Sequence, residues 1–169
     1  MFIGIIWLCL NFSFVFVYGE KTSSNQLQRI ESKLDMVLTK FTKEVAFGKI
    51  AYQSTTLGAG YEAKNAVDGS TNTFQHTVYE RDPFWMVDLG KNYWIKRVDV
   101  TNRADGYGGH RLHNLDITMG RNKNTSDLCA HFKGPSVSSA HLIFYCNLVR
   151  RARYVKLMIR GTEYLQVAE

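Results

Sequence analysis

From Glu44 to the end of the chain, apolar residues recur at every second position in short runs, and turn signals break each run. In LHNLDITMG, Leu115, Ile117 and Met119 fall on one face. In RYVKLMIRG, Val155, Leu157 and Ile159 alternate with Tyr154, Lys156, Met158 and Arg160. A period of two is the mark of a strand with one face in a core. WMVDLG (85–90), WIKRVDVTNR (94–103) and HLIFYC (141–146) read the same way, and Gly90-Lys91-Asn92 breaks the first from the second. Many short strands with turns between them, and no recurring helical crossover, predict an all-β, antiparallel sandwich or barrel. There is no internal repeat.

The first 43 residues follow other rules. MFIGIIWLCLNFSFVFVYG, residues 1–19, is apolar and uncharged and ends in small or permitted residues. It reads as a secretory signal cleaved near Gly19-Glu20, although a basic n-region is missing; the alternative is a membrane anchor. In SNQLQRIESKLDMVLTKFTK (24–43), Leu27, Ile30, Leu34, Val37 and Phe41 are spaced 3, 4, 3, 4, which is one face of a helix. This short amphipathic helix is either an oligomerising stalk (residues 20–43 as a unit), a helix folded onto the domain, or a linker. The expected domain is 44–169.

If the leader is removed, Cys9 leaves with it and two cysteines remain. In an oxidising, extracellular setting Cys129 and Cys146 are then expected to be joined. Asn124-Thr125-Ser126 is a sequon in a polar stretch, a candidate glycosylation site at Asn124. The net charge of +6 is spread along the chain and interleaved with acids, so no basic stripe for nucleic acid stands out. Asp82, Asp88, Asp99 and Asp105 are scattered, and no nucleophile motif accompanies them, so nothing assembles an enzyme's acid, base and nucleophile. His110-x-x-His113 is too little for a zinc site.

In a sandwich the loops gather at the ends of the sheets, where a rigid frame positions them. Two loops carry the polar chemistry. NAVDGSTNTFQH (65–76) offers oxygens on Asn65, Asp68, Ser70 and Thr73 around a tight Asp-Gly turn. Hard cations such as Ca²⁺ take six to eight oxygens, so this stretch needs a distant acid, for which Glu169 is a candidate; the alternative is a plain Asx-turn loop. TNRADGYGGHRLHN (101–114) sets Arg103, Asp105, His110 and Arg111 among three glycines and Tyr107. Guanidinium forks and an imidazole suit the hydroxyls of a neutral sugar, and an aromatic ring suits its apolar face. Asp105 would hold Arg103 in place, or the pair is only a local salt bridge.

Together, KNAVDGST, FWMVDLGKNYWIKRVDVTNRADGYGGHRLHNLDI and EYLQVAE, within Glu44–Glu169, resemble an F-type lectin (fucolectin), a branch of the discoidin or coagulation-factor C-type fold. The resemblance implies a discoidin-like jelly-roll β-sandwich. The family's sugar motif is a His, twenty-six residues, Arg-x-Asp, four residues, then Arg or Lys; here His76 stands twenty-six residues before Arg103-Ala104-Asp105. Two departures follow. Five residues, not four, separate Asp105 from Arg111, so either Arg111 or His110 fills the last slot. Gly106-Tyr107 stands where many members carry adjacent cysteines, so Tyr107 is the candidate platform. A second family disulfide would fall on Phe74 and Ala168 and is lost as a unit, whereas Cys129 and Cys146 match the other.

By this resemblance, calcium would be held by the backbone carbonyls of Asn65, Ser70 and Ala168 and the side chains of Asp68, Thr73 and Glu169. His76, Arg103 and Arg111 would hydrogen-bond α-L-fucose, with Leu57, Tyr61 and Phe74 as candidates for its methyl pocket. Members usually run a few residues past this Glu, so the sequence here is expected to be a fragment. The implied protein is a secreted lectin of fucosylated glycans, with defence recognition typical of the family, no membrane insertion, and a homo-oligomer through 24–43. The competing reading is a discoidin-type adhesion module docking on lipid or protein through apolar loop tips. The His76–Arg103 spacing favours the sugar.

Overall fold

The computed structural model describes Gln26, Arg29 and Ile30, and residues 43–124 and 127–169. The leader and all of the 24–43 seam except Ile30 lie outside the described residues. Gln26, Arg29 and Ile30 are helical and exposed. The chain divides into Met1–Lys43 and Glu44–Glu169.

The second unit is an antiparallel β-sandwich. Its strands are β1 (Ile50–Gln53), β2 (Gln75–His76), β3 (Glu80–Arg81), β4 (Phe84–Thr101), β5 (Leu115–Gly120), β6 (Asp127–Phe132), β7 (His141–Ile159), β8 (Thr162–Glu163) and β9 (Gln166–Val167). The main ladder runs β1-β4-β7-β5-β6, and two small ladders pair β2 with β9 and β3 with β8.

The expected run of many short strands is corrected in one respect. WMVDLG and WIKRVDVTNR are the two halves of the single strand β4, and HLIFYC and RYVKLMIRG are the two halves of β7. The pairing of β4 with β7 shifts register between Asp88 and Tyr93 and again between Ile95 and Arg97. A bulge re-aims the strand and adds twist, so each long strand turns a corner and serves both layers. Phe84–Asp88 pairs with Met158–Tyr154, while Arg97–Thr101 pairs with Tyr145–His141. The first residue of β4, Phe84, accepts the Ser54 amide at 2.9 Å in the segment whose Leu57 bonds His76, and its last residue, Thr101, bonds Glu169 beside Arg103, so both ends of the strand reach the two polar loops.

The period-two expectation holds where it was strongest. Leu115, Ile117, Leu157 and Ile159 are almost wholly buried, as are Met119 and Val155. Each such side chain contributes about 1.5–3 kcal/mol by leaving water. The irregular spacing of Ile95, Val98 and Val100 has a physical cause: the bulge after Ile95 resets the alternation, and all three still face the core. WMVDLG departs from simple alternation, because Trp85 through Leu89 are all buried. This half of β4 is flanked on both edges, and Asp88 on its second face is covered by an ion pair with Arg153, at 2.6 Å. Cys129 of β6 and Cys146 of β7 form the expected disulfide, with Cα atoms 4.3 Å apart.

Candidate functional site

The site grows from the last eight residues. β9 lies antiparallel to β2, with His76 opposite Gln166. β8 lies antiparallel to β3 and delivers Tyr164. The hydroxyl of Thr77 accepts the amide of Leu165 at 2.9 Å and locks the two small ladders together. The chain end thus ties the His76 loop to the Arg103 loop.

The second loop is fixed by Asn102, which is fully buried. Its amide donates to the carbonyls of Gly109 at 2.8 Å and Val137 at 3.0 Å, and its oxygen accepts the Arg103 amide at 2.9 Å. Glycine is required at two places here. Gly108 has a left-handed φ of +70°, and a Cβ on Gly109 would meet the Ser138 backbone nitrogen at 2.3 Å. The expected Gly-rich turn is therefore also a close packing surface against the 136–140 segment.

Arg103 is 8% exposed. Its Nε donates to Asp105 Oδ1 at 2.6 Å and its Nη2 to Asp105 Oδ2, while Nη1 donates to Gln166 Oε1 at 2.6 Å. A guanidinium has five N–H groups, so these three bonds leave two for a ligand. The plane rests on Phe74, 4.3 Å from its centroid. The Asp105 hydrogen bond with Arg103 is thus a local salt bridge that orients the cation. The same hydrogen bond holds the Asp105 carboxyl below its usual range.

His76 is 4% exposed. Its Nδ1 lies 2.7 Å from the carbonyl of Thr77. A carbonyl only accepts, so Nδ1 carries the hydrogen and Nε2 is left as an acceptor. Burial lowers the His76 pKa, and the Arg103 and Arg111 cations reinforce this against the Thr77 hydrogen bond. The ring is accordingly neutral at neutral pH.

Arg111, rather than His110, is the basic side chain that lies close to His76. Its guanidinium lies 4.7 Å from the centroid of Tyr164, while His110 is exposed. The extra residue is absorbed in a short 3-10 turn, Gly109–Arg111. Tyr164 also meets His76 edge-on at 5.4 Å, and Tyr61 meets His76 edge-on at 5.6 Å. Tyr61 and Phe74 pair at 5.2 Å. The aromatic floor is therefore Tyr164, Tyr61 and Phe74. Tyr107, the expected platform, stands 77% exposed at the loop tip, outside that floor, because the left-handed Gly106 and Gly108 on either side turn it outward. Leu57 is exposed at the rim.

Sequence reasoning missed Tyr164 and Gln166. Both sit in EYLQVAE, a string already singled out, but the strand pairing that aims them at His76 is non-local and too short to carry a periodic signal.

Beside the site, Asp68 Oδ2 accepts the Thr73 hydroxyl at 2.7 Å, and that hydroxyl also lies 3.3 Å from the Ser70 carbonyl. The Gly69 amide donates to Glu169 Oε2 at 3.2 Å. Burial raises the Glu169 pKa, and the charges of Asp68 and Glu44 raise it further. Asn65 is buried, its amide donating to the carbonyls of Gly60 at 2.7 Å and Phe74 at 3.2 Å. Ala168 is fully buried and its amide donates to Thr101 at 2.8 Å. Asp68 and Glu169, with a hydroxyl and a carbonyl alongside, are oxygen donors of the kind a hard cation takes; among the described residues no group of three or more His, Cys, Asp or Glu side chains gathers to hold a metal.

Three comparisons bear on this geometry. The F5/F8 type C family, described as a NedA-like, galactose-binding domain, matches residues 65–157. Fucolectin-6 of Anguilla japonica is 31% identical over 113 residues, which is 63% of this chain and 60% of that protein. Fucolectin of Anguilla anguilla is 29% identical over 144 residues, 76% of this chain and 90% of that protein. The chain thus matches about 60% of the length of several curated relatives and 90% of one. Among solved structures, the lectin domain of lectinolysin complexed with Lewis B antigen superposes with a TM-score of 0.68 at 32% identity, covering 76% of this chain and 94% of that one. An f-lectin from the serum of Morone saxatilis gives 0.67 at 30% identity, covering 76% and 46%.

Proposed function

Because this chain belongs to the F5/F8 type C family, as an F-type lectin, we propose that it is a secreted receptor for terminal α-L-fucose-type glycans, braced by a calcium ion, and that it catalyses no reaction. One observation carries the sugar reading: a neutral imidazole acceptor and two guanidinium groups from separate loops meet over one aromatic floor. Nε2 of His76 would accept a sugar hydroxyl, the free N–H groups of Arg103 and Arg111 would donate to hydroxyl and ring oxygens, and the floor would take the methyl group. Among the described residues, the carboxylate paired with these cations is Asp105, on Arg103, which suits a ligand rich in lone pairs. Solved relatives described as a fucose binding module and as a lectin domain complexed with Lewis B antigen support this reading over a loop-tip adhesion module.

Asp68, Thr73 and Glu169 with the carbonyls of Asn65, Ser70 and Ala168 would hold calcium. The ion would neutralise the Asp68–Glu169 repulsion and fix the chain end that carries Tyr164 and Gln166. A small sugar buries little area, so single-site affinity is weak and clustering multiplies it; the 24–43 segment would supply the clustering. The test is a glycan array of wild type beside Arg103→Ala, with and without chelator. Fucosylated glycans retained by wild type alone support the proposal. Equal retention by both proteins, or none, contradicts it.

A further inference from the structure

In sequence the cations are scattered, but the fold gathers three of them in a groove that shares no residue with the proposed sugar site. Arg121 lies in the β5–β6 turn, and Arg150 and Arg151 lie at the corner of β7, where the register shift leaves Cys146–Val149 unpaired with β4. Trp94 in the corner of β4 pairs with Arg151. Trp94, Arg121, Arg150 and Arg151, with Val149 and Asp127, line one groove of about 490 Å³. None of the residues lining it belongs to the cluster of His76, Arg103, Arg111 and Tyr164.

The groove has an unusual chemistry for an unused surface. Trp94 is 70% exposed, although the Arg151 guanidinium stands 6.0 Å from its ring centroid. Burying an indole is strongly favourable, so a Trp held open to solvent on a rigid strand leaves that gain unrealised. Of the three guanidiniums, only Arg150 faces the acid Asp127, at 3.2 Å, with both side chains about half exposed. The remaining charge is positive. A second copy of this face would bring like charges together and is disfavoured.

We propose that this groove is a second binding site that takes an acidic saccharide: a pyranose ring on the Trp94 face, with its sulfate or carboxylate held by Arg150, Arg151 and Arg121. Planar guanidinium forks match such oxyanions bidentately, and the flat indole matches an apolar ring face. The site is independent of the fucose reading, because it shares no residue with it.

Asn124 occupies the same turn as Arg121 and is exposed, so the full chain is tested as its Asn124→Gln form, free of any glycan there. The probe is a heparin-type sulfated hexasaccharide in calorimetric titration, with a sodium polyphosphate of equal charge and phosphatidylserine vesicles as controls. The hexasaccharide binds, Arg150→Ala/Arg151→Ala weakens it by about tenfold or more, and Trp94→Ala does likewise while Trp94→Phe recovers most of the loss. All these positions are exposed, and an unchanged melting temperature confirms that the variants fold. Indifference to Trp94→Ala, polyphosphate binding as tight as the sugar's, or binding of vesicles without the hexasaccharide would each overturn the assignment.

Discussion

Arg103→Lys isolates the fork from the charge. The substitution keeps a cation in the site but removes the paired donation to Asp105 and the bond to Gln166. Asp105 has a side chain 38% exposed and regains water, so its loss costs little. Gln166 is fully buried, and its Oε1 would lose its partner, at a cost of about 1–3 kcal/mol. For a domain of this size that lowers the melting temperature by roughly 3–6 °C per kcal/mol. Binding suffers separately. At least one of the two free N–H donors disappears, and a charge-assisted hydrogen bond contributes about 1.5–3 kcal/mol, so affinity for a methyl α-L-fucoside falls roughly ten- to hundredfold. Calorimetry beside a thermal melt measures both. A variant that stays folded and binds within twofold of wild type refutes the role of the fork.

Other outcomes follow from the same geometry. His76 has a depressed pKa, so its contribution is complete above the ordinary histidine value of about 6.5 and is lost as pH falls through the lower folded value; sugar affinity measured from pH 7.5 to 4.5 should hold at first and then drop, and His76→Gln, which keeps an acceptor, should flatten the drop. Glu169 has a raised pKa, so without calcium its ionised form disfavours the fold as pH rises through that value; Glu169→Gln should therefore melt no lower than wild type in chelator and should lose the stabilisation that added calcium gives wild type. Cys129 and Cys146 close a loop of sequence separation 17, so Cys129→Ala/Cys146→Ala should lose about 3 kcal/mol of unfolding free energy in denaturant titration; an unchanged midpoint would show that the bridge constrains nothing.

Much of the fold was legible because it is local. Alternation in β5 and in the second half of β7 identified the core face residue by residue. The joining of paired runs into β4 and β7 was not, because a bulge is set by the partner strand and leaves only an odd spacing, as at Ile95 and Val98. At the candidate site, the spacing motif pointed to His76, Arg103 and Asp105, and it left Arg111 and His110 open because one extra residue follows Asp105. Tyr164 and Gln166 were not, since two-residue strands have no period and their direction depends on β2 and β3, far away in sequence. The sequence shows Tyr107 only as a loop aromatic between glycines; its exposed position between left-handed Gly106 and Gly108 is set by the backbone and could not be read there.

The convergence of His76, Arg103 and Arg111 on one sugar is tested most directly by following their side-chain nitrogen resonances as methyl α-L-fucoside is added. Nε2 of His76 and the guanidinium signals of both arginines should shift together along a single saturation curve, with Nδ1 remaining protonated. Shifts confined to another part of the chain, or movement of one of the three groups without the others, would contradict the site.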